Sequence, residues 1–130
     1  MAKLETPCPC GSQKKYAGCC GPYLDGNVIP ATAEALMRSR YTAYTLLREE
    51  YLLASWHASS MPETLNLAAE APGQWLGLEI KRHQQQDADH AQVEFVARYK
   101  VAGRAHRMHE LSRFVREDGR WFYVDGAMQN

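Results

Sequence analysis

Four cysteines, Cys8, Cys10, Cys19 and Cys20, fall within thirteen residues, and positions 21–130 contain none. The chain opens Met-Ala-Lys-Leu-Glu-Thr-Pro-Cys, without the apolar core of a signal peptide. That start predicts a cytoplasmic protein, in a compartment where thiols stay reduced. Crowded cysteines there read as metal ligands rather than disulfides. Structural zinc takes four tetrahedral ligands, and thiolates suit it well. Cys8, Cys10, Cys19 and Cys20 are therefore the expected zinc ligands. Pro9 holds the turn of the first pair, Gly11-Ser12 lets the chain reverse, and Cys19-Cys20 closes the site. Lys14 and Lys15 can offset the negative charge of a four-thiolate centre, and Tyr16 is predicted to cover one side of it.

The chain has 130 residues, room for one ordinary domain and a small appendage. Fifteen basic residues balance fifteen acidic ones. That neutrality argues against a broad footprint for nucleic acid or an anionic membrane, even with Lys14, Lys15, Arg38 and Arg40 present. No apolar run approaches the roughly 20 residues of a membrane-spanning helix, so no membrane partner is expected.

Composition changes near residue 30. Pro7, Pro9, Gly11, Gly18, Gly21, Pro22, Gly26 and Pro30 make the first part loop-rich and unable to bury a core of its own. The expected division is a zinc knob over residues 1–30 and an α+β domain over 31–130. Thr32 is the expected N-cap of a helix carrying Ala33, Leu36, Met37, Tyr41, Tyr44 and Leu47 at helical spacing. A second short helix is expected over 49–56, and Ser60-Met-Pro-Glu is expected to open a third that ends by Pro72-Gly73. Period-two alternation then predicts strands over 75–84, 93–101, 106–116 and 121–125. A turn at Ala102-Gly103-Arg104 and hairpin chemistry at Glu117-Asp118-Gly119-Arg120 separate the later ones. Helices followed by an antiparallel meander imply helices packed on one face of a sheet.

The cysteine segment, Cys8-Pro-Cys10-Gly-Ser-Gln-Lys-Lys-Tyr-Ala-Gly-Cys19-Cys20, resembles the SEC-C motif, the zinc-binding tail of the translocation motor SecA and of many other proteins. The family usually has glycine after Gly-Ser, where this chain has Gln13. A turn needing positive φ there carries a strain cost. The last ligand is often His in that family, and Cys20 is the recognised variant. Beyond the motif, Ala33 to Tyr44, Tyr51-Leu52-Leu53 with Trp56-His57, Val93-Glu94-Phe95, Glu110 to Phe114 and Gly119 to Gly126 resemble the YchJ-like bacterial proteins. The resemblance implies a cone of the nuclear transport factor 2 type, with helices leaning into a curved sheet. It carries no assigned activity.

A cone can enclose a pocket. Met108, Glu110, Ser112 and Phe114 share one strand face. Turned inward, Glu110 needs a partner, and Arg38 or Arg40 can supply one; a structural ion pair is the favoured reading over a pocket floor. Candidate pocket residues are Trp56, Tyr99, Glu110 and Ser112. His106 and His109 point to opposite strand faces and cannot share a metal. His83 and His90 flank a polar turn and are expected to be solvated, and His57 is expected to cap helix carbonyls. No phosphate loop or nucleophile elbow is present, and no catalytic residue is assigned. Two function classes remain. The first is a protein-interaction adaptor presenting Lys14, Lys15 and Tyr16 to an acidic partner surface. The alternative is a small-molecule-binding or enzymatic cone with a pocket between helices and sheet.

Overall fold

The computed structural model describes residues 6–65, 67 and 74–129. A 3-10 turn at Tyr16–Gly18 precedes α1 (Gly21–Leu24), α2 (Ala33–Thr45) and α3 (Glu49–Ala54). Four strands follow: β1 (Gln74–Gln85), β2 (His90–Val101), β3 (Arg104–Glu117) and β4 (Arg120–Met128). They form one antiparallel meander in the order β1-β2-β3-β4.

Local chemistry accounts for the start of α2 and for two of the hairpin turns. Thr32 Oγ1 accepts the Ala35 amide at 3.0 Å, the expected cap of α2. The β2–β3 connection is Ala102-Gly103, with φ of 51° and 79°, and the β3–β4 connection is Asp118-Gly119, with φ of 53° and 80°. Two residues of positive φ give the turn whose twist matches a hairpin.

The inner sheet face carries Phe95, Ala97, Val93 and Ala91 from β2, Phe114 and Ser112 from β3, and Trp121 from β4, all buried. Leu36, Met37 and Tyr41 of α2 pack into this face. Burying a Leu- or Phe-sized side chain contributes roughly 1.5–3 kcal/mol, so this contact sustains the fold.

The alternation expected for β1 is broken. The register slips between Trp75 and Gly77 and again between Ile80 and Arg82. Trp75 thereby joins Leu78 and Ile80 in packing on the core, while Leu76 is 46% exposed. A third slip lies opposite Arg113 and Phe114. An extra residue on one strand bends it and increases its twist. These bulges curve the sheet around α2 and produce the cone.

The second helix stops at Ala54, earlier than expected. No helix opens at Ser60 over residues 60–65. Ser60 Oγ instead donates to the Val124 carbonyl at 2.6 Å, tying the segment to β4. Leu67 is helical, and the remainder of that expectation, residues 66 and 68–73, lies outside the described residues. His57 does not cap α3. Its amide donates to the Tyr123 carbonyl, and its ring pairs with Glu117 and Ser59. His83 is not solvated either: it lies 3.8 Å from Glu34, with a buried Nε2 that finds no partner among the described residues. His106 and His109 do occupy opposite faces, one stacked on Tyr99 and the other bonded to Glu94.

Candidate metal centre

The segment before α2 is a short pinned hairpin. Cys8 N donates to Lys14 O at 2.8 Å, Tyr16 N donates to Thr6 O at 2.9 Å, and Pro7 bridges Lys15. Its reversal uses Gly11 at φ +78° and Gln13 at φ +69°. Gly11 is required twice over, since a Cβ there would meet the Leu78 carbonyl oxygen at 2.9 Å. Gln13 occupies the left-handed backbone at a cost of about 1 kcal/mol. The 3-10 turn then delivers Cys19 and Cys20 back to the first pair.

The four sulfurs all lie within 4.8 Å of one another. Cys10 Sγ is 3.6 Å from Cys19 Sγ, and Cys19 Sγ is 4.0 Å from Cys20 Sγ. All four are free thiols, well beyond the roughly 2.0 Å of a disulfide. A tetrahedral thiolate site with metal–sulfur bonds of about 2.3 Å has sulfur–sulfur edges of about 3.8 Å. The donor set therefore suits a four-coordinate metal ion. Cys8, Cys10 and Cys20 are buried and Cys19 is partly exposed. Polar neighbours hold the sulfurs in place: Ser12 Oγ lies 3.1 Å from Cys19 Sγ, and Thr42 Oγ1 lies 3.7 Å from Cys8 Sγ.

Electrostatics of the bare thiols point the same way. Hydrogen bonds from Cys20 and Cys8 hold the Cys10 thiol far below its ordinary range. Cys20 is pushed up, chiefly by its hydrogen bond to Cys10, and Cys19 is pushed up by burial. The cluster by itself thus favours a thiolate at Cys10 and neutral thiols at Cys19 and Cys20. A cation at the centre is what permits all four to ionise.

The knob is seated on the cone. Cys8, Cys10, Cys20 and Leu24 share one apolar cluster with Leu36, Met37 and Leu78. Arg38 Nη1 donates to Cys10 O at 2.8 Å, and Arg48 Nη2 to Leu24 O at 3.2 Å. This explains why α2 also buries Ser39, Thr42 and Ala43, outside the stripe expected from its periodicity: one flank faces the sheet and another faces the cysteines. Lys14 and Lys15 lie exposed on the hairpin, and the Tyr16 ring packs over Gly21, beside Cys20.

Residues 32–126 match the family model described as the YchJ middle NTF2-like domain, and residues 6–22 match the SEC-C motif. The chain belongs to the YchJ-like family. Similar proteins of the family carry the name UPF0225 protein. One from Ralstonia nicotianae is 58% identical over 131 residues, covering 93% of this chain and 90% of its own. Another from Polaromonas naphthalenivorans is 53% identical over 135 residues, covering 95% of this chain and 98% of its own. The solution structure of a SEC-C motif containing protein from Rhodopseudomonas palustris superposes with a TM-score of 0.87 at 32% identity, covering 96% of this chain and 100% of that one. The crystal structure of a SEC-C motif containing protein from Psychrobacter arcticus gives 0.82 at 30% identity, covering 100% of this chain and 86% of that one. The YchJ-like cone and the SEC-C cysteines thus occur together in solved relatives. Among the described residues, no helix of this family member is long and apolar enough to cross a membrane.

Between α2 and the sheet, the YchJ-like cone encloses a cavity of about 240 Å³, walled by Met37, Tyr41, Tyr44, Trp75, Arg40 and Glu110 among others. Of the pocket residues expected from the sequence, Glu110 lines it. Trp56 stacks on Arg40, Tyr99 stacks on His106 and Ser112 is fully buried, donating to Glu110 Oε2 at 2.6 Å. The expected helix–sheet ion pair is absent among the described residues. Arg38 pairs with Glu34 at 3.2 Å. Arg40, 2% exposed, donates to Leu52 O and Ser55 Oγ at 2.8 and 2.7 Å. Its guanidinium lies 4.9 Å from the Trp56 ring and 4.4 Å from the Tyr123 ring. Burial pushes the Arg40 pKa down, and burial raises the Tyr41 hydroxyl to about 12. The aromatic walls, Tyr44, Trp75 and Tyr123, escaped the sequence reading because core spacing and pocket-lining spacing are the same pattern.

Proposed function

We propose that this protein is a cytoplasmic zinc-binding adaptor, in which a metal-fixed knob presents Lys14, Lys15 and Tyr16 to an acidic surface of a protein partner. Zinc is the inferred metal because an all-thiolate, four-coordinate donor set with these edges suits it best. The observation that carries the recognition reading is an exposed basic hairpin whose backbone is pinned by hydrogen bonds. Lys14 is held at both backbone groups, its amide donating to Ser12 Oγ at 3.2 Å and its carbonyl accepting from Cys8. A side chain on a fixed loop binds with little ordering cost. A groove of about 480 Å³ runs from Lys14 past Cys19 to Arg38 and His83, with room for an acidic side chain.

Purified protein is expected to carry one zinc per chain. Protons compete for thiolates, so zinc is expected to leave as pH falls; a metal-sensitive dye followed during acidification checks both points. Absence of zinc after preparation without chelators would remove the cofactor from this reading.

The adaptor role is tested with Lys14→Glu combined with Lys15→Glu. The double variant is expected to keep zinc and fold. Partners identified by mass spectrometry with the parent protein, then purified, should bind the variant at least tenfold more weakly. Parent binding should weaken with salt. Equal affinity of parent and double variant would reduce the knob to a structural cap.

A further inference from the structure

The cone cavity has a chemistry separate from the knob. Its body is apolar and aromatic, built from Met37, Tyr41, Tyr44, Trp75, Phe95 and Met108. Two ionisable groups interrupt that wall, Arg40 from α2 and Glu110 from β3. They do not touch as an ion pair among the described residues, so the space between helix and sheet separates a cation from an anion. Arg40 is 2% exposed, yet Nη1 donates to a carbonyl and a hydroxyl, not to a carboxylate. Glu110 accepts a hydrogen bond from Ser112, and its carboxylate lies over Gly126, where any side chain would displace it. A structural ion pair would gain from direct contact, and these two groups lack it.

At about 240 Å³ the cavity is smaller than the roughly 300–1,000 Å³ of sites for drug-sized ligands. It suits one ring with a short polar arm. The wall contributes one positive and one negative charge. A ligand with a single charge leaves one of them unmatched and faces a like charge as well. A ligand offering an acceptor to Arg40 and a donor to Glu110 satisfies both. We propose that the cone cavity is a binding site for a small molecule with an apolar, ring-sized body and a neutral or zwitterionic head, whose acceptor meets Arg40 and whose donor meets Glu110. The site is independent of the knob and of its partner.

The test uses the full zinc-loaded chain and four probes of shared body: phenylacetamide (neutral), phenylalanine (zwitterionic), phenylacetate (anionic) and phenethylamine (cationic). Each is titrated while the Trp75 indole and the amides of Tyr44, Phe95 and Ala97 are followed by nuclear magnetic resonance. Saturable shifts at these groups are expected with phenylacetamide or phenylalanine, at least tenfold tighter than with either singly charged probe. Which of the two binds distinguishes a neutral head from a zwitterionic one. Glu110→Gln leaves Arg40 as the sole charge of the wall and should turn the preference toward phenylacetate. The proposal is overturned if no probe shifts the cavity groups at 20 mM, a concentration of about the weakest useful affinity for such fragments. It is equally overturned if a singly charged probe binds the parent as tightly as the matched ones, or if Glu110→Gln folds and leaves the ranking unchanged. The ranking in the parent protein decides the matter by itself if that variant does not fold.

Discussion

Chelation of the metal is expected to release residues 6–24 from their native structure while β2 and β3 stay folded. Structural zinc sites bind with apparent free energies of about 10–16 kcal/mol in small peptides. That is as large as the whole stability of a typical domain, about 5–15 kcal/mol, and within the knob itself little else can replace it. Its own elements are one 3-10 turn and a four-residue helix. The sheet is differently supported, by continuous pairing of β1 to β4 and a buried face including Val93, Phe95 and Phe114. Helix α2 lies between these regimes. Chelation removes the cover over Thr42 and the Arg38 contact to Cys10, but leaves Leu36, Met37 and Tyr41 on the sheet. Hydrogen exchange should therefore show loss of protection before residue 25, partial loss along α2 and retention in β2 and β3. Cys10→Ser is expected to reproduce the pattern without chelator. Collapse of β2 and β3 protection would show instead that the metal centre and the cone form one cooperative unit.

Truncating Arg40 is expected to be among the most destabilising single changes in the cone. Arg40→Ala empties a site that is almost fully enclosed. It removes both hydrogen bonds from Nη1 and leaves the facing Trp56 and Tyr123 rings without their cation. Large-to-small changes at buried sites cost about 2–5 kcal/mol, and a desolvated cation over an aromatic ring adds about 2 kcal/mol. A loss of about 3 kcal/mol or more in denaturant unfolding is the expected result. Arg40→Met keeps most of the volume and removes a buried charge, so it should cost less than Arg40→Ala. A change within about 0.5 kcal/mol for Arg40→Ala, the range of ordinary surface substitutions, would mean that the guanidinium contributes nothing net to the fold.

Both results turn on contacts between distant parts of the chain, and this is where sequence and tertiary structure part company. The cysteine quartet was legible because its members are close in the chain and crowded thiols have few chemical uses. The Thr32 cap and the Asp118-Gly119 turn were legible for the same reason, since each depends on backbone groups within a few residues. The strain at Gln13 followed from a motif position known to need positive φ. What the residues alone left open was decided across space. The bulges at Leu76 and Lys81 depend on which face of β1 meets α2, so strict alternation along the chain was the wrong guide. Ser60 opens no helix over residues 60–65, and its hydroxyl donates instead to the Val124 carbonyl, sixty-four residues away. Arg40 and Glu110 line one cavity without pairing, a relation set by how α2 lies against the sheet and not by spacing along the chain. Short-range hydrogen bonding and thiol chemistry were determined by the sequence itself; where a side chain ends when two surfaces compete for one helix was decided only by packing.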